Sequence, residues 1–206
     1  MSLEHLNSWH ADWSKTRVLV FGLGVSGFAA ADTLVELGAE VRVLTDKGDA
    51  EHLDILDVLG VKHSVGQSLE DNLAELKEFS PELFIVSPGI RPDNALVVAA
   101  ANSGIPVLTE VDLAWRIRDK WGSSSQWICI TGTNGKSTTT RMVAAALRTM
   151  GAVATNREGA NMDAGLVAAL AADRDAGLAA LEVDEMHVPR SEEHTSELQS
   201  RQYLVC

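Results

Sequence analysis

The chain has 206 residues, 46% of them apolar, which is enough for one large or two modest domains with buried cores. Its formal charge of −12 argues against a nucleic-acid-binding surface, because phosphate backbones are held by excess Lys and Arg. No apolar run is long enough to span a bilayer, and the start, Met1-Ser2-Leu3-Glu4-His5, has neither the basic nor the apolar region of a signal peptide.

A cytoplasmic protein with no membrane partner is therefore expected, and a monomer. Cys129 and Cys206 lie far apart in the chain, so a disulfide framework or a Cys-based metal site has no support. Cys129 sits in an apolar run and reads as inert packing.

Arg17-Val18-Leu19-Val20-Phe21 is a short β-branched, apolar run of the kind that forms a parallel strand buried on both faces. Gly22-Leu23-Gly24-Val25-Ser26-Gly27 follows, then an Ala-rich helical stretch to Leu37 that Gly38 should stop. Glu40-Val41-Arg42-Val43-Leu44 is the next strand and completes a βαβ unit. Leu83-Phe84-Ile85-Val86 and Ile105-Pro106-Val107-Leu108, with helical patterns between and after them, continue the alternation of an open parallel sheet. The first domain is expected to cover residues 1–121, with a Gly/Ser linker over residues 122–126. A second α/β unit then starts with the strand Gln126-Trp127-Ile128-Cys129-Ile130. Its helix should run over about residues 136–150, with a further helix over residues 165–172 and a strand over residues 177–183. Beyond Pro189 the apolar periodicity stops.

Two glycine-rich loops carry chemistry. The spacing of Gly22, Gly24 and Gly27 lets a backbone turn tightly, approach a phosphate and enter a helix whose N-terminal N–H groups attract anions. Asp46, at the end of the following strand, stands where a carboxylate accepts from a ribose hydroxyl. On these residues alone, an NAD-dependent oxidoreductase, another nucleotide binder and a purely structural turn all remain open. Ser87-Pro88-Gly89-Ile90 puts another turn at the carboxyl edge of the same sheet, where ligands of open α/β folds collect.

The stronger loop is Gly132-Thr133-Asn134-Gly135-Lys136-Ser137-Thr138, between a buried strand and a helix. Its backbone N–H groups can cradle phosphates, Lys136 can neutralise their charge, and the Ser137 hydroxyl can ligand Mg²⁺. It is shorter than the general P-loop, since Ile130 stands where that form requires its first glycine. Glu182 ends the last apolar strand, a suitable place for a carboxylate serving a metal, with Asp184, Glu185 and His187 close behind. The remaining histidines, His63 among them, have no ligand spacing.

The residues 22–27, Ser87-Pro88-Gly89-Ile90, Thr109-Glu110-Val111-Asp112-Leu113 and residues 131–138 together resemble the Mur ligases of peptidoglycan synthesis. Over about residues 15–140 they resemble the family that adds D-glutamate to UDP-N-acetylmuramoyl-L-alanine. The resemblance implies a Rossmann-like first domain that binds the substrate's uridine diphosphate through Val25, Ser26, Asp46, Lys47, Ser87, Pro88 and Gly89. It implies an incomplete P-loop α/β central domain over residues 127–189, holding ATP on residues 132–138 with Asn161 on the adenine side. Lys136 and Glu182 would be its catalytic residues, and Ser137 and Glu182 its Mg²⁺ ligands.

From about residue 139 the resemblance shifts toward the Mur-ligase-like subunit of lipid II isoglutaminyl synthase, which implies a hybrid joined near the ATP loop. Residues 190–200 resemble the conceptual translation of a sequencing adapter, and Leu204-Val205-Cys206 fits its continuation, which implies that residues 190–206 are non-native. Little or no ligase turnover is expected from these 206 residues by themselves.

Overall fold

In the computed structural model, the described residues are 3–120, 122, 126–132, 134–156, 169–170, 173 and 176–183, and the backbone of 203–205. The chain divides into two compact units, Met1–Ile117 and Arg118–Cys206. The protein is mixed α/β with parallel sheets.

The first unit is built on β1 (Arg17–Leu23), which pairs in parallel with β2 (Glu40–Gly48) on one side and β4 (Leu83–Val86) on the other. β3 (Lys62–Val65) and β5 (Val107–Thr109) form the edges, giving the order β3-β2-β1-β4-β5. The chain winds outward from β1 in both directions, so the loops after β1 and β4 lie side by side at a topological switch point.

Alternation along the strands sorts the core into two layers. Val18, Val20, Val41, Val43, Leu83 and Ile85 pack with Ala30, Ala31 and Leu34 of α1 (Val25–Glu36), Leu56 of α2 (Ala50–Val58) and Leu113 of α5 (Glu110–Arg116). Leu19, Phe21, Leu44 and Phe84 face the other way, onto Leu76 and Phe79 of α3 (Leu69–Phe79) and Leu96, Val97 and Ala100 of α4 (Ala95–Asn102). Helices on both faces explain why residues 18–21 of β1 and all of β4 are apolar.

Gly38, at φ +84°, ends α1 where expected, its N–H donating to the Val35 carbonyl at 2.9 Å. The expected strands over 17–21 and 40–44 extend further, to Leu23 and Gly48, and that over 105–108 is shifted to Val107–Thr109. The edge strand β3 was absent from the expected elements. Its Lys-His-Ser-Val sequence is polar because an edge strand has less to bury, so it carries no apolar signal.

An N-terminal segment joins the first core. Leu6 and Trp13 are each 1% exposed, the Trp13 indole N–H donates to the Ser8 carbonyl at 3.1 Å, and the Arg116 guanidinium donates to the carbonyls of Leu3 and Leu6 at 3.1 and 3.2 Å.

The second unit has β6 (Gln126–Ile130), α6 (Lys136–Leu147), β7 (Val153–Ala154), β8 (Leu178–Glu182) and β9 (Tyr203–Val205), with sheet order β7-β8-β6-β9. Ala144, Val143 and Leu147 of α6 pack on Leu178 and Ala180 of β8 and on Val153. The helix expected over residues 165–172 falls mostly outside the described residues, of which 169–170 are helical. Regular structure was not expected beyond Pro189. The backbone of β9 instead pairs in parallel with Ile128, Cys129 and Ile130 on the side away from β8, where a β-strand edge offers free N–H and C=O groups.

Trp13→Ala should cost about 3–5 kcal/mol, as expected for removing a fully buried indole. Faster hydrogen exchange of the β1 amides would register that loss, and unchanged exchange would show that the N-terminal segment does not support the core.

Candidate functional site

In the first unit the glycine loop and the turn after β4 are one packed structure. Gly22, at φ +98°, sits against Ser87, whose hydroxyl donates to the Gly22 carbonyl at 3.0 Å while its N–H donates to the Phe21 carbonyl at 2.9 Å. The Ile90 N–H closes the turn onto the Ser87 carbonyl at 3.0 Å, with Pro88 and the exposed Gly89 between. A Cβ on Gly27 would overlap the Gly22 carbonyl, so that glycine is required for α1 to approach β1.

Gly24 differs. Its φ is −78° and a Cβ there would meet nothing within 4 Å, so packing does not account for the residue. It caps α1 without any side-chain hydrogen bond, and no acid lies in the first turn. The N-terminal N–H groups of α1, beside the exposed Val25 and half-buried Ser26, thus open onto solvent at the switch point. By contrast α2, α3, α4 and α5 are capped by the side chains of Asp49, Ser68, Asn94 and Thr109. The Thr109 cap is a full capping box with Asp112, which gives this part of the Thr109–Leu113 motif a local structural role.

Asp46 and Lys47 are exposed at the end of β2, in a stretch where the register with β1 shifts between Phe21 and Leu23. The residue that ties them to the glycine loop was not singled out from sequence. The buried Thr45 hydroxyl accepts from the Leu23 N–H at 3.2 Å and donates to the Lys47 carbonyl at 2.7 Å. A threonine near a strand end is too ordinary to be noticed without the β1–β2 register.

The second unit repeats the plan. β6 leads into a loop in which Gly132 has φ +137° and Gly135 has φ +80°, conformations that favour glycine. Gly135 caps α6, again without a side-chain hydrogen bond. Asn134 and Thr138 are exposed, while Lys136 and Ser137 are half-buried. The Lys136 ammonium donates to the Gly132 carbonyl at 2.7 Å, folding its charge over the loop. Thr133 and Asn161, both expected at this site, lie outside the described residues, as do Asp184, Glu185 and His187.

Glu182 is 7% exposed and stands in register with Ile130, the last residue of β6. Leu178 and Ala180 pack in the α6 cluster, and alternation along β8 puts Glu182 on the same face, at the end where α6 begins. The structure thus places Glu182 on the helix side of the sheet, level with the end of the strand that leads into the loop. Among the described residues its carboxylate has no ion pair. A buried carboxylate and a serine hydroxyl are hard oxygen donors, a set that fits Mg²⁺ better than a thiolate-seeking metal. No group of three His, Cys, Asp or Glu suited to a metal occurs among the described residues.

Glu182 is also held by Asn156, a residue to which the sequence assigns no role. The Asn156 amide donates to the Glu182 carbonyl and accepts from the Glu182 N–H, each at 2.8 Å. On the other side of β8 the Val183 N–H donates to the Ile130 carbonyl at 2.9 Å. Leaving either buried backbone group of Glu182 unpaired would cost about 1–3 kcal/mol. Nothing in the sequence signals this contact, since it depends on β7 lying beside β8.

Two family models match the chain: the Mur ligase MurD-like N-terminal domain over residues 16–109 and the Mur ligase middle domain over residues 130–200. The chain belongs to the Mur ligase family. Within it, curated relatives include the UDP-N-acetylmuramoylalanine–D-glutamate ligases of Leifsonia xyli, 48% identical over 151 residues, and Tropheryma whipplei, 41% identical over 150 residues. These matches cover 70% and 73% of this chain but only 29% and 30% of the relatives. Among solved structures, a murein peptide ligase from Psychrobacter arcticus aligns with 83% of this chain and 38% of that one, at 19% identity and a TM-score of 0.47. No helix among the described residues is long and apolar enough to cross a membrane.

Gly27→Ala should destabilise the first unit by about 1–3 kcal/mol through backbone overlap, whereas Gly24→Ala should stay within about 1 kcal/mol of the parent in thermal or urea unfolding. Equal effects would remove the distinction between a packing glycine and an open one. In β6, burial pushes the Cys129 thiol up from 9.0 to about 11. The folded thiol holds its proton more tightly than the unfolded one, so this contribution to stability is present below about pH 9 and is lost as pH rises toward about 11. A thiol reagent at pH 8 should therefore label Cys129 only after unfolding, as mapped by peptide mass analysis.

Proposed function

We propose that these residues are the nucleotide-handling part of a ligase that joins D-glutamate to UDP-N-acetylmuramoyl-L-alanine at the expense of ATP. The observation that carries this reading is the pair of glycine-started helices, α1 and α6, that lack side-chain caps at the ends of parallel strands. Family membership gives each a task. The α1 loop, with Val25, Ser26, Asp46, Lys47, Ser87, Pro88 and Gly89, takes the uridine diphosphate of the substrate. Residues 132–138 take the ATP phosphates, and Asn161 is assigned to the adenine side.

In the reaction a carboxylate oxygen of the UDP-sugar peptide attacks the γ-phosphorus of ATP, and ADP leaves. The amine of D-glutamate then attacks the acyl carbon, phosphate departs and the amine loses a proton. The chain's contribution is positioning and charge. Lys136 stands next to the loop that would hold the phosphates and must leave the Gly132 carbonyl to reach them. Ser137 and Glu182 would hold Mg²⁺, which supplies charge neutralisation at the phosphates. The first domain anchors the nucleotide end of the sugar substrate, so that binding energy gained there can align the distant carboxylate.

An NAD-dependent oxidoreductase built on residues 22–27 is the second reading, and Asp46 is the residue that favours it. It gives the Lys136 loop no task. Binding measurements on the 206-residue chain separate the two. UDP and MgATP should bind independently, and Lys136→Ala should weaken MgATP by about 10–100-fold without changing UDP. Gly24→Ala should weaken UDP alone. Tight binding of NADH with none of UDP would refute the ligase reading.

A further inference from the structure

Asn156 occupies a position where a strand is missing. β7 pairs with β8 only at Val153↔Leu178 and Ala154↔Ala179, and the chain after Ala154 leaves the ladder. β8 continues for three more residues, to Glu182. In a parallel sheet, successive residues of a strand turn their N–H and C=O groups to opposite neighbours. Val183 N–H points to Ile130 of β6, so the peptide groups of Glu182 point the other way, toward the side that β7 has vacated. The Asn156 side chain fills that gap, with Nδ2 donating to the Glu182 carbonyl and Oδ1 accepting from the Glu182 N–H.

Only a carboxamide presents a donor and an acceptor side by side at this reach. A carboxylate lacks the donor, and a hydroxyl lacks the second atom. The two bonds span the Glu182 Cα from both flanks, and β6 holds the strand from the opposite edge. The direction of the Cα–Cβ bond is thereby set, leaving the side chain only its rotamers with which to place the carboxylate. That carboxylate is buried on the α6 face and has no ion pair among the described residues to orient it instead.

We propose that Asn156 is a positioning residue for the metal-binding carboxylate: it aims Glu182 at the Mg²⁺ that accompanies ATP on the α6 loop. This rests on the reading of Glu182 and residues 132–138 given above. Asn156 acts through the backbone of Glu182, so its loss should weaken the metal and spare the phosphates that bind without it. Outer residues that orient metal ligands typically contribute about 10–100-fold in metal affinity.

The test is titration of the 206-residue chain with a fluorescent, non-hydrolysable ATP analogue, with EDTA and then over a series of Mg²⁺ concentrations. Mg²⁺ should tighten binding to the parent chain, and Glu182→Gln should abolish the gain. Asn156→Ala should raise the half-saturating Mg²⁺ concentration about tenfold or more, with affinity in EDTA within twofold of the parent. Asn156→Gln, which keeps the carboxamide but displaces it by one methylene, should behave the same way, and it decides the matter if the alanine variant does not fold.

A parent-like Mg²⁺ dependence in the Asn156 variant would overturn the proposal. So would an equal loss of affinity with and without Mg²⁺, the mark of a general structural role. A parent chain whose binding gains nothing from Mg²⁺ overturns the reading of the site itself, and that failure is seen before any residue is changed.

Discussion

A parallel strand cannot be followed by a tight turn to its neighbour; the chain must cross back over a face of the sheet, and it does so as a helix. Both units of this protein are organised by that constraint. Every crossover begins at the carboxyl end of a strand, so the loops gather at one edge, and each helix that starts there presents N–H groups that its own turns cannot satisfy. The fold must therefore cap each helix with a side chain or leave its end open. The capped helices α2, α3, α4 and α5 take the first course, and α1 and α6 the second.

The two open ends are reached by different use of glycine. After β1, Gly22 and Gly27 are taken up with packing, one against Ser87 and the other against the Gly22 carbonyl, and only Gly24 is left facing free space. After β6 the glycines serve backbone conformation: Gly132 and Gly135 both lie at positive φ, and a Cβ on either would meet no neighbour. The first loop is bonded to the turn after β4 through Ser87. In the second, the Lys136 ammonium lies on a carbonyl of its own loop.

Much of the candidate site was legible because its chemistry is local. Strand, glycine loop and helix follow one another in sequence, so residues 22–27 and 132–138 could be located from spacing and from the apolar runs before them. The Ser87 turn was legible as a turn at the ligand-collecting edge of the sheet, but what its side chain holds was not. Its bond to the Gly22 carbonyl joins residues 65 positions apart, through the pairing of β1 with β4. Thr45 and Asn156 were not legible at all, for the same reason: each completes backbone groups of a neighbouring strand, and which strand is the neighbour is decided by the sheet order. The polar edge strand β3 escaped notice because hydrogen bonds to β2, rather than a buried face, hold it.

The sequence by itself determined the class of fold, the two glycine-rich loops and the family, because these depend on hydrophobic period and on residue types within a few positions of one another. Tertiary structure decided how those loops are completed. It showed which glycines are there for packing and which face open space. It put Glu182 on the α6 face, in register with the end of β6, and it set Asn156 where a strand runs out. Those outcomes depend on register between distant segments, a property of paired strands that no single segment contains.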